Sequence, residues 1–525
     1  MLDGGGHLDV GGRRARARVY ASCSLALCGG LAGCVLGAQG ALAVAFFSVL
    51  FSAMLAAVGF SVREWWRGRS GGEGATEAAG AAGEATPLLQ SSAESNVKAP
   101  PRQASRLWHL DDVKVSLTSI VVMHHVGCAF AEGGFYVTVG NYETSLSKFS
   151  RATAALDQSY FMALFFFLAG IFTPGALCRG GTWRYLQRRC MRLLVPTYLY
   201  LYAIGPVTGV ICCAIVRKKY SYQALDVGPL WFAAWLVCFS MAYAAAQAAA
   251  QRASRIAAGS AGASSGGGEV AVAVTETAMA PADGSAAPPL VAHPPSLWAL
   301  VRVTVLCVVC TVGIEIGYVP SAGGGSFLGM PMTIGALPYD IAAFWLGCAV
   351  GRHKEDGWLE AFESYGRQPA VWLCGLVAFG VVVAEGVAAP PLYARQSWYW
   401  GILEMMMTGV WALCFSLAVL ALSRRWMGHR PPGPWRKAAA QAAFGVYVFH
   451  PPIVMLLLWA YVRVLERFGD VILKFDPSTY RSSTPVGSEW RLWAGWAAIC
   501  VASQVVLWPM AWAIRTYVPG AKCVL

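Results

Sequence analysis

Residues 158–176 read QSYFMALFFFLAGIFTPGA and contain no charged side chain. A helix needs about 20 mostly apolar residues to cross the hydrocarbon core of a bilayer, because each residue advances it by about 1.5 Å. The stretch meets this requirement. It therefore predicts a transmembrane helix and, with it, an integral membrane protein.

The composition of the whole chain supports the same interpretation. Of its 525 residues, 57% are hydrophobic and only 13% are charged, whereas soluble domains carry about 25% charged residues. So few charges cannot coat the surface of a soluble protein of this size. Lipid must cover much of the apolar surface.

Further apolar segments of similar length flank this one on both sides. With it they give about ten predicted core spans, near 113–131, 158–176, 193–214, 229–250, 297–316, 335–352, 370–389, 399–422, 440–465 and 491–515. Two more apolar runs, at 19–38 and 41–62, predict an N-terminal two-helix hairpin within residues 1–66. A signal peptide is the alternative for the first run. The predicted fold class is all-α, a polytopic transmembrane helical bundle.

Two segments have low-complexity sequences. Residues 67–105 are rich in Gly, Ala, Glu and Ser, and residues 251–296 are rich in Ala, Gly, Ser and Pro. Neither can bury an apolar core, so both are predicted to be disordered linkers. Residues 106–525 would then form one membrane domain that the loop 251–296 interrupts.

The formal net charge of +12 comes from short basic blocks beside the apolar spans. This is the pattern of the positive-inside rule, and it argues against a nucleic-acid partner. About twelve spans with a cytoplasmic N-terminus place the basic blocks in the cytoplasm, except Arg217–Lys219.

Cys307 and Cys310 have metal-ligand spacing but lie within a span without His or acidic neighbours, so no metal site is predicted.

A histidine pair, His124 and His125, lies inside the first core span. His125 follows Lys114 by eleven residues, or about 16 Å of helix, in a hydrocarbon core about 30 Å thick. If Lys114 reaches the cytoplasmic interface, His125 lies near mid-membrane, where an ionisable residue indicates a functional site. The alternative is a histidine whose ring is satisfied by a backbone carbonyl. Because adjacent helical residues point about 100° apart, the two rings should face different neighbours.

A cluster of arginines follows the break at Thr173-Pro174-Gly175. Its members are Arg184, Arg188, Arg189 and Arg192, and the last three share a helical face. Guanidinium groups bind phosphates bidentately, and a cytosolic donor such as acyl-coenzyme A carries phosphates. Topology anchoring is the alternative explanation.

His450 lies in the stretch FGVYVFHPP, residues 444–452, inside another apolar span. Pro451 and Pro452 lack a backbone N–H, so they free carbonyl groups in the preceding turn. Broken helices at membrane depth are tolerated where they line a cavity. His450 is therefore either a site residue or a packed histidine at a helix interface.

These features together resemble the acyltransferase 3 family of multi-pass membrane O-acyltransferases. The resemblance is carried by Leu110-Asp111, Lys114 and His125, by the stretch Gln158–Pro196, and by Gly228–Phe232, Phe344–Gly347 and the Gly445, Tyr447, His450 motif. The family usually has an arginine where Lys114 stands, and lysine lacks the planar, bidentate fork of arginine. The resemblance runs from about residue 107 to the C-terminus.

The resemblance implies transfer of an acyl group, often acetyl, from acyl-coenzyme A to a hydroxyl of a carbohydrate or lipid acceptor. His125 would be the catalytic base with Lys114 as its basic companion, and His124 and His450 would be further catalytic candidates. Arg188, Arg189 and Arg192 would bind the donor, with Asp111 and Tyr447 as additional substrate-binding candidates. Acyl-coenzyme A would be a co-substrate, and no permanently bound cofactor is expected.

Two other classes of protein share these features. A secondary transporter also has intramembrane charges, broken helices and about twelve spans. The membrane-bound O-acyltransferases, a different enzyme family, also use an intramembrane histidine. The sequence leaves two compartments as alternatives, the plasma membrane and an endomembrane. Glu84–Leu89 resembles an acidic dileucine sorting signal, which directs proteins to endomembranes.

Overall fold

The computed structural model describes residues 107–131, 136–139, 144–220, 228–263, 293–317, 326–327, 330–331, 336–388, 398–428, 432–468, 473–478, 480–482 and 488–525. The predicted N-terminal hairpin, the linker 67–105 and the dileucine-like segment lie outside these residues. Nearly all of the described chain is helical.

The α-helices, in chain order, are α1 Trp108–Phe130, α2 Ser145–Leu199, α3 Gly205–Val216, α4 Trp231–Ala263, α5 Leu297–Gly317, α6 Leu337–Arg352, α7 Trp358–Tyr365, α8 Pro369–Ala388, α9 Trp398–Met427, α10 Pro434–Phe468, α11 Glu489–Tyr517 and α12 Ala521–Val524. A π-helical turn, Tyr200–Ile204, joins α2 to α3, and a 3₁₀ turn, Gly228–Leu230, precedes α4. Two short antiparallel strand pairs complete the described elements: β1 Ser326–Phe327 with β2 Met330–Pro331, and β3 Phe475–Asp476 with β4 Arg481–Ser482. The predicted all-α polytopic bundle is confirmed.

Every predicted core span overlaps at least one of these helices, but the helices do not map one to one onto spans: 193–214 runs from α2 through the π-helical turn into α3. By length and apolar composition, seven helical segments of the described chain could cross a membrane, or up to eight if the bent pair Trp358–Tyr365 and Pro369–Ala384 counts as one span. Ser145–Val216 counts once in that test but contains two predicted spans, and α6 has only 16 residues. The number of ten core spans therefore stays a prediction.

Helix α2 is divided at one glycine. Gly181 has φ 66° and ψ 170°, a conformation that costs glycine little because it has no Cβ. At the other end, Thr144 caps the helix, since its hydroxyl accepts a hydrogen bond from the Ser147 amide. The two parts of α2 correspond to the predicted span 158–176 and to the beginning of 193–214.

Helix α4 extends further than the sequence prediction. It continues to Ala263, into the segment 251–296 that we expected to be a disordered linker from residue 251. Alanine, glutamine and arginine dominate 244–256, and these residues favour helix once a preceding helix has nucleated it. The low-complexity composition was thus a poor guide to where the helix ends.

Helices α2 and α6 cross at very short distance. A Cβ at Gly347 would collide with the carbonyl oxygen of Phe167, and one at Gly170 would collide with the carbonyl oxygen of Phe344. Small residues allow helix backbones to approach closely in membranes, where packing rather than water exclusion drives association. This crossing fixes α2, which supplies one wall of the site described next.

Candidate active site

Helices α1 and α10 run side by side in the same direction. Arg436 at the start of α10 donates to both carboxylate oxygens of Asp112, with its Nε 3.0 Å from Oδ1. His125 follows Asp112 by 13 positions and His450 follows Arg436 by 14. The two histidines therefore meet about 20 Å further along the helices. The helices therefore keep one register from the predicted cytoplasmic edge to the histidines.

The side chains of His125 and His450 are in direct contact. His125 Nδ1 lies 2.9 Å from His450 Nε2. The ring centroids are 4.8 Å apart with an interplanar angle of 15°. His450 is fully buried, whereas His125 is partly buried.

The other nitrogen of His450 is held by its own helix. Its Nδ1 lies 2.7 Å from the carbonyl oxygen of Tyr447. In an unbroken helix this carbonyl would accept from the amide of residue 451, but Pro451 has no N–H. The proline thus frees the acceptor that His450 uses.

His124 faces a different helix, as the angular offset of adjacent residues predicts. Its Nε2 lies 3.1 Å from the side-chain amide nitrogen of Gln158 and 3.6 Å from the sulfur of Cys128. Its Nδ1 is 3.6 Å from an oxygen of Asp157, which permits charge attraction but exceeds a normal hydrogen bond. His124 is therefore bound to α2, while His125 is bound to α10.

Lys114 and Asp111 form a pair near the predicted cytoplasmic edge. The Lys114 ammonium lies 3.2 Å from Oδ1 of Asp111 and 4.2 Å from the centroid of the Phe172 ring. The Lys114 side chain is 32% exposed. Lys114 is about 16 Å along α1 from His125, so it does not contact the histidine pair.

The predicted donor-binding arginines lie in the second part of α2. Arg189 donates to the Thr173 hydroxyl at 3.0 Å and to the Tyr185 hydroxyl at 3.4 Å, whereas Arg188 is exposed. Arg192 lies close enough to Arg189 and Arg515 for their positive charges to repel. Among the residues that the structure describes, no carboxylate lies within ion-pair distance of these arginines.

The hydroxyl of Tyr447 is engaged within the protein. It donates to the carbonyl oxygen of Pro229, just before α4, and the ring packs 6.1 Å from that of Phe232. This contact ties the middle of α10 to the beginning of α4. Its predicted role in substrate binding stays a prediction.

Several residues of the site were absent from the sequence prediction. Asp157 and Gln158 received no role, although polar residues entering an apolar span are a signal of function. Arg515 lies near the end of α11, almost at the C-terminus, and only the tertiary structure brings it to Arg192. The ion pair between Asp112 and Arg436 likewise joins residues 324 positions apart.

The long apolar helices define a multi-pass helical membrane protein, and a histidine pair lies where two of these helices pack together. Residues 109–271 match the family model Acyl_transf_3, whose description is acyltransferase domain. The predicted resemblance to the acyltransferase 3 family is confirmed over these residues, and with the apolar helices it supports a membrane acyltransferase. Neither curated proteins nor solved structures gave a match to the chain.

Proposed function

We propose that this protein transfers an acyl group from acyl-coenzyme A to a hydroxyl of a carbohydrate or lipid acceptor, with His125 as the general base. The observation that carries the proposal is the contact between His125 and the buried ring of His450 inside the membrane domain. A hydroxyl is a poor nucleophile until a base removes its proton, and imidazole suits that role near neutral pH.

The surroundings of His125 support its use as a base. Its Nδ1 lies 2.9 Å from His450 Nε2, and the residue is only partly buried. The flanking helix residues Val121, Val122 and Val126 are buried and apolar, which disfavours a charged ring before the reaction. A neutral imidazole is the form that can accept a proton.

The arginine cluster supports an anionic donor. Arg189, Arg192 and Arg515 gather positive charge without a described carboxylate to neutralise it. Such an arrangement is costly unless an anion occupies it, and phosphate oxygens match the fork of a guanidinium group. In the proposal these residues bind the phosphates of coenzyme A, with Arg188 at the entrance and Lys114 and Asp111 along the path toward His125.

The reaction balances with the groups named. His125 accepts the proton of the acceptor hydroxyl as the oxygen attacks the thioester carbonyl. The carbon–sulfur bond then breaks, and the same proton passes from His125 to the coenzyme A sulfur. The products are an ester and free coenzyme A, and the histidine returns to its starting form.

The test is acyl-coenzyme A turnover by the purified protein in lipid nanodiscs, with glycans and lipids extracted from its host as acceptors. We expect acceptor-dependent release of coenzyme A and an acceptor mass gain of one acyl group, both lost in His125→Ala. The matched control is His353→Ala, since His353 is 35% exposed and pairs with Asp356 outside the site.

Retention of full acyl transfer by His125→Ala would refute the base assignment. Flux of a substrate across sealed vesicles, without coenzyme A release or covalent change, would instead favour the transporter.

A further inference from the structure

The basic segment Arg217–Lys219, which the positive-inside rule leaves unexplained, lies at the far end of α10 from Arg436. It follows α3, and its first residue pairs with Glu466 near the end of α10. Helix α10 has 35 residues, or about 52 Å, whereas a hydrocarbon core is about 30 Å thick. Because α10 begins at the predicted cytoplasmic edge, its other end projects beyond the core on the opposite side of the membrane.

Two arginines share one carboxylate at this end. The oxygens of Glu466 lie 2.9 Å from Arg217 and 2.6 Å from Arg463. Arg463 also donates to the carbonyl oxygen of Ala214 at 2.9 Å and lies 5.9 Å from the centroid of the Trp459 ring. The side chain of Arg217 remains 58% exposed. A single negative charge thus orients two guanidinium groups without neutralising both.

Further cations surround this pair. Lys218 donates to the carbonyl oxygen of Pro477 at 2.9 Å, and its ammonium lies 5.2 Å from the centroid of the Tyr480 ring. Lys219 and Arg467 are exposed, and Arg467 lies over the ring of its neighbour Phe468. No carboxylate of the described chain lies within ion-pair distance of either. We call the surface formed by 217–219, 463–467 and the β3–β4 hairpin the basic face.

The charge of the basic face is positive even when the adjoining loops are counted. Residues 217–227 and 463–482 together contain seven Lys or Arg and four Asp or Glu residues. Cations on the predicted non-cytoplasmic side run against the positive-inside rule. A cluster of exposed cations attracts anions and raises their local concentration. The basic face therefore indicates an anionic ligand.

The backbone of this region is strained at three places. Tyr136, Arg217 and Tyr480 have φ of 60°, 58° and 58°, and they are the non-glycine residues of the described chain with positive φ. Arg217 directly follows α3, at a position where glycine is usual because a Cβ makes the left-handed conformation costly. Such strain clusters at ligand-binding sites. An arginine at this position indicates that its side chain is used.

Tyrosine side chains lie between the basic face and the histidine pair. Tyr136 lies in a loop bonded to the β3–β4 hairpin, and its hydroxyl is 2.6 Å from that of Tyr200. A Cβ added at Gly228, in the 3₁₀ turn before α4, would be 2.6 and 2.7 Å from these hydroxyls. The Tyr447 hydroxyl donates to the same turn, and its ring centroid is 5.9 Å from that of His450. Polar groups thus extend from the basic face to the histidines.

We propose that the basic face binds the acceptor, and that the acceptor is an anionic carbohydrate whose carboxylate or sulfate groups pair with Arg217, Lys219 and Arg467. The inference rests on the proposed function and deepens it by naming the acceptor class. Guanidinium groups bind such oxyanions bidentately. The cations are spread over the ends of two helices and a hairpin, which suits an extended polyanion better than a single lipid headgroup.

The first experiment measures binding of labelled hexasaccharides to the full-length protein in nanodiscs of phosphatidylcholine, which has no net charge. The probes are hexagalacturonate, a heparin hexasaccharide and neutral maltohexaose. We expect the wild-type protein to bind a charged probe with an affinity that falls as salt is added, and not to bind maltohexaose. Absence of binding to both charged probes would overturn the proposal.

The variant Arg217→Gly separates binding from folding. Glycine suits the left-handed backbone, and Glu466 keeps its pairing with Arg463. We expect an unchanged or higher melting temperature together with a Kd for the charged hexasaccharide raised by about 3- to 10-fold. A Kd equal to that of the wild type would show that Arg217 does not contact the ligand and would overturn its assignment.

A double variant removes the two exposed cations of the basic face. We expect Lys219→Gln with Arg467→Gln to raise the Kd by about 10-fold. The matched control is Arg367→Gln with Arg425→Gln, which removes two exposed cations after α7 and near the end of α9. An unchanged Kd in the first double variant, or an equal rise in the control, would count against the basic face.

An anionic lipid headgroup is the competing ligand. Native mass spectrometry of the protein from nanodiscs that contain phosphatidylglycerol counts the lipids that remain bound. Fewer bound phosphatidylglycerol molecules in the double variant, with no binding of charged hexasaccharides by the wild type, would replace the proposal by a lipid site.

Acyl transfer distinguishes this inference from the proposed function. The double variant should raise the KM of the charged acceptor by about 10-fold and leave the KM of acetyl-coenzyme A unchanged. His125→Ala should bind the charged hexasaccharide as the wild type does. Acylation of charged and neutral hexasaccharides with equal KM would refute the acceptor class alone. Binding of the charged hexasaccharide without any acyl transfer by the wild type would refute the proposed function.

Discussion

His125 Nδ1 lies 2.9 Å from His450 Nε2, although the two residues are 325 positions apart in the chain. The contact joins the first and the penultimate long helices of the described bundle. It depends on a shared register along α1 and α10 that begins at the ion pair of Asp112 and Arg436. Each of these contacts can be changed separately.

Pro451 should contribute to activity through the carbonyl that it frees. In Pro451→Ala the restored N–H would compete with His450 for the oxygen of Tyr447, and the imidazole would be less firmly held. We expect kcat to fall by roughly 10-fold with little change in donor KM, measured by coenzyme A release. Pro452→Ala is the control, because its N–H would bond to Val448, which His450 does not use. Equal losses in both variants would contradict the assignment.

Arg515 should bind the phosphates of the donor. Arg515→Ala removes charge-assisted hydrogen bonds, each of about 1.5–3 kcal/mol, so we expect the KM for acetyl-coenzyme A to rise by about 10-fold or more. S-acetylpantetheine lacks the phosphates, and its use should be the same in variant and wild type. Arg491→Ala, at the opposite end of α11, is the control. A similar loss with both donors would mean that Arg515 supports the fold rather than the phosphates.

The ion pair of Asp112 and Arg436 should stabilise the register of α1 on α10. The side chains are 13% and 30% exposed, so solvent screening limits the effect of the single variant Asp112→Asn to about 1 kcal/mol. We expect a lower melting temperature in detergent, with partial recovery in the charge-exchanged pair Asp112→Arg with Arg436→Asp. Additive losses in the double variant would show that the two side chains are not coupled.

The crossing of α2 and α6 should not tolerate a methyl group at Gly347. The added Cβ would collide with the carbonyl oxygen of Phe167, and backbone cannot move aside as a flexible side chain can. We expect Gly347→Ala to destabilise the protein by about 1–3 kcal/mol, measured as a lower melting temperature. Gly380→Ala in α8 is the control, because nothing lies within 4 Å of its added Cβ. Equal melting temperatures for the two variants would count against this packing.

The sequence by itself determined the class of fold. Apolar runs of bilayer length leave few alternatives to transmembrane helices, because every backbone N–H and C=O must find a partner inside the lipid. Residues 158–176 therefore predicted their helix without any knowledge of their neighbours. The depth of His125 below Lys114 followed from helical rise alone, and the freed carbonyls before Pro451 followed from the missing N–H groups.

The tertiary structure decided which polar groups meet. Periodicity shows that His124 and His125 face different ways, but not that one faces Gln158 and the other His450. Such contacts depend on how α1, α2, α10 and α11 pack, and contacts between residues 34 and 325 positions apart leave no trace in local spacing. Residues 158–176, which identified a membrane helix, thus also form one wall of the site, and only packing could reveal that second role.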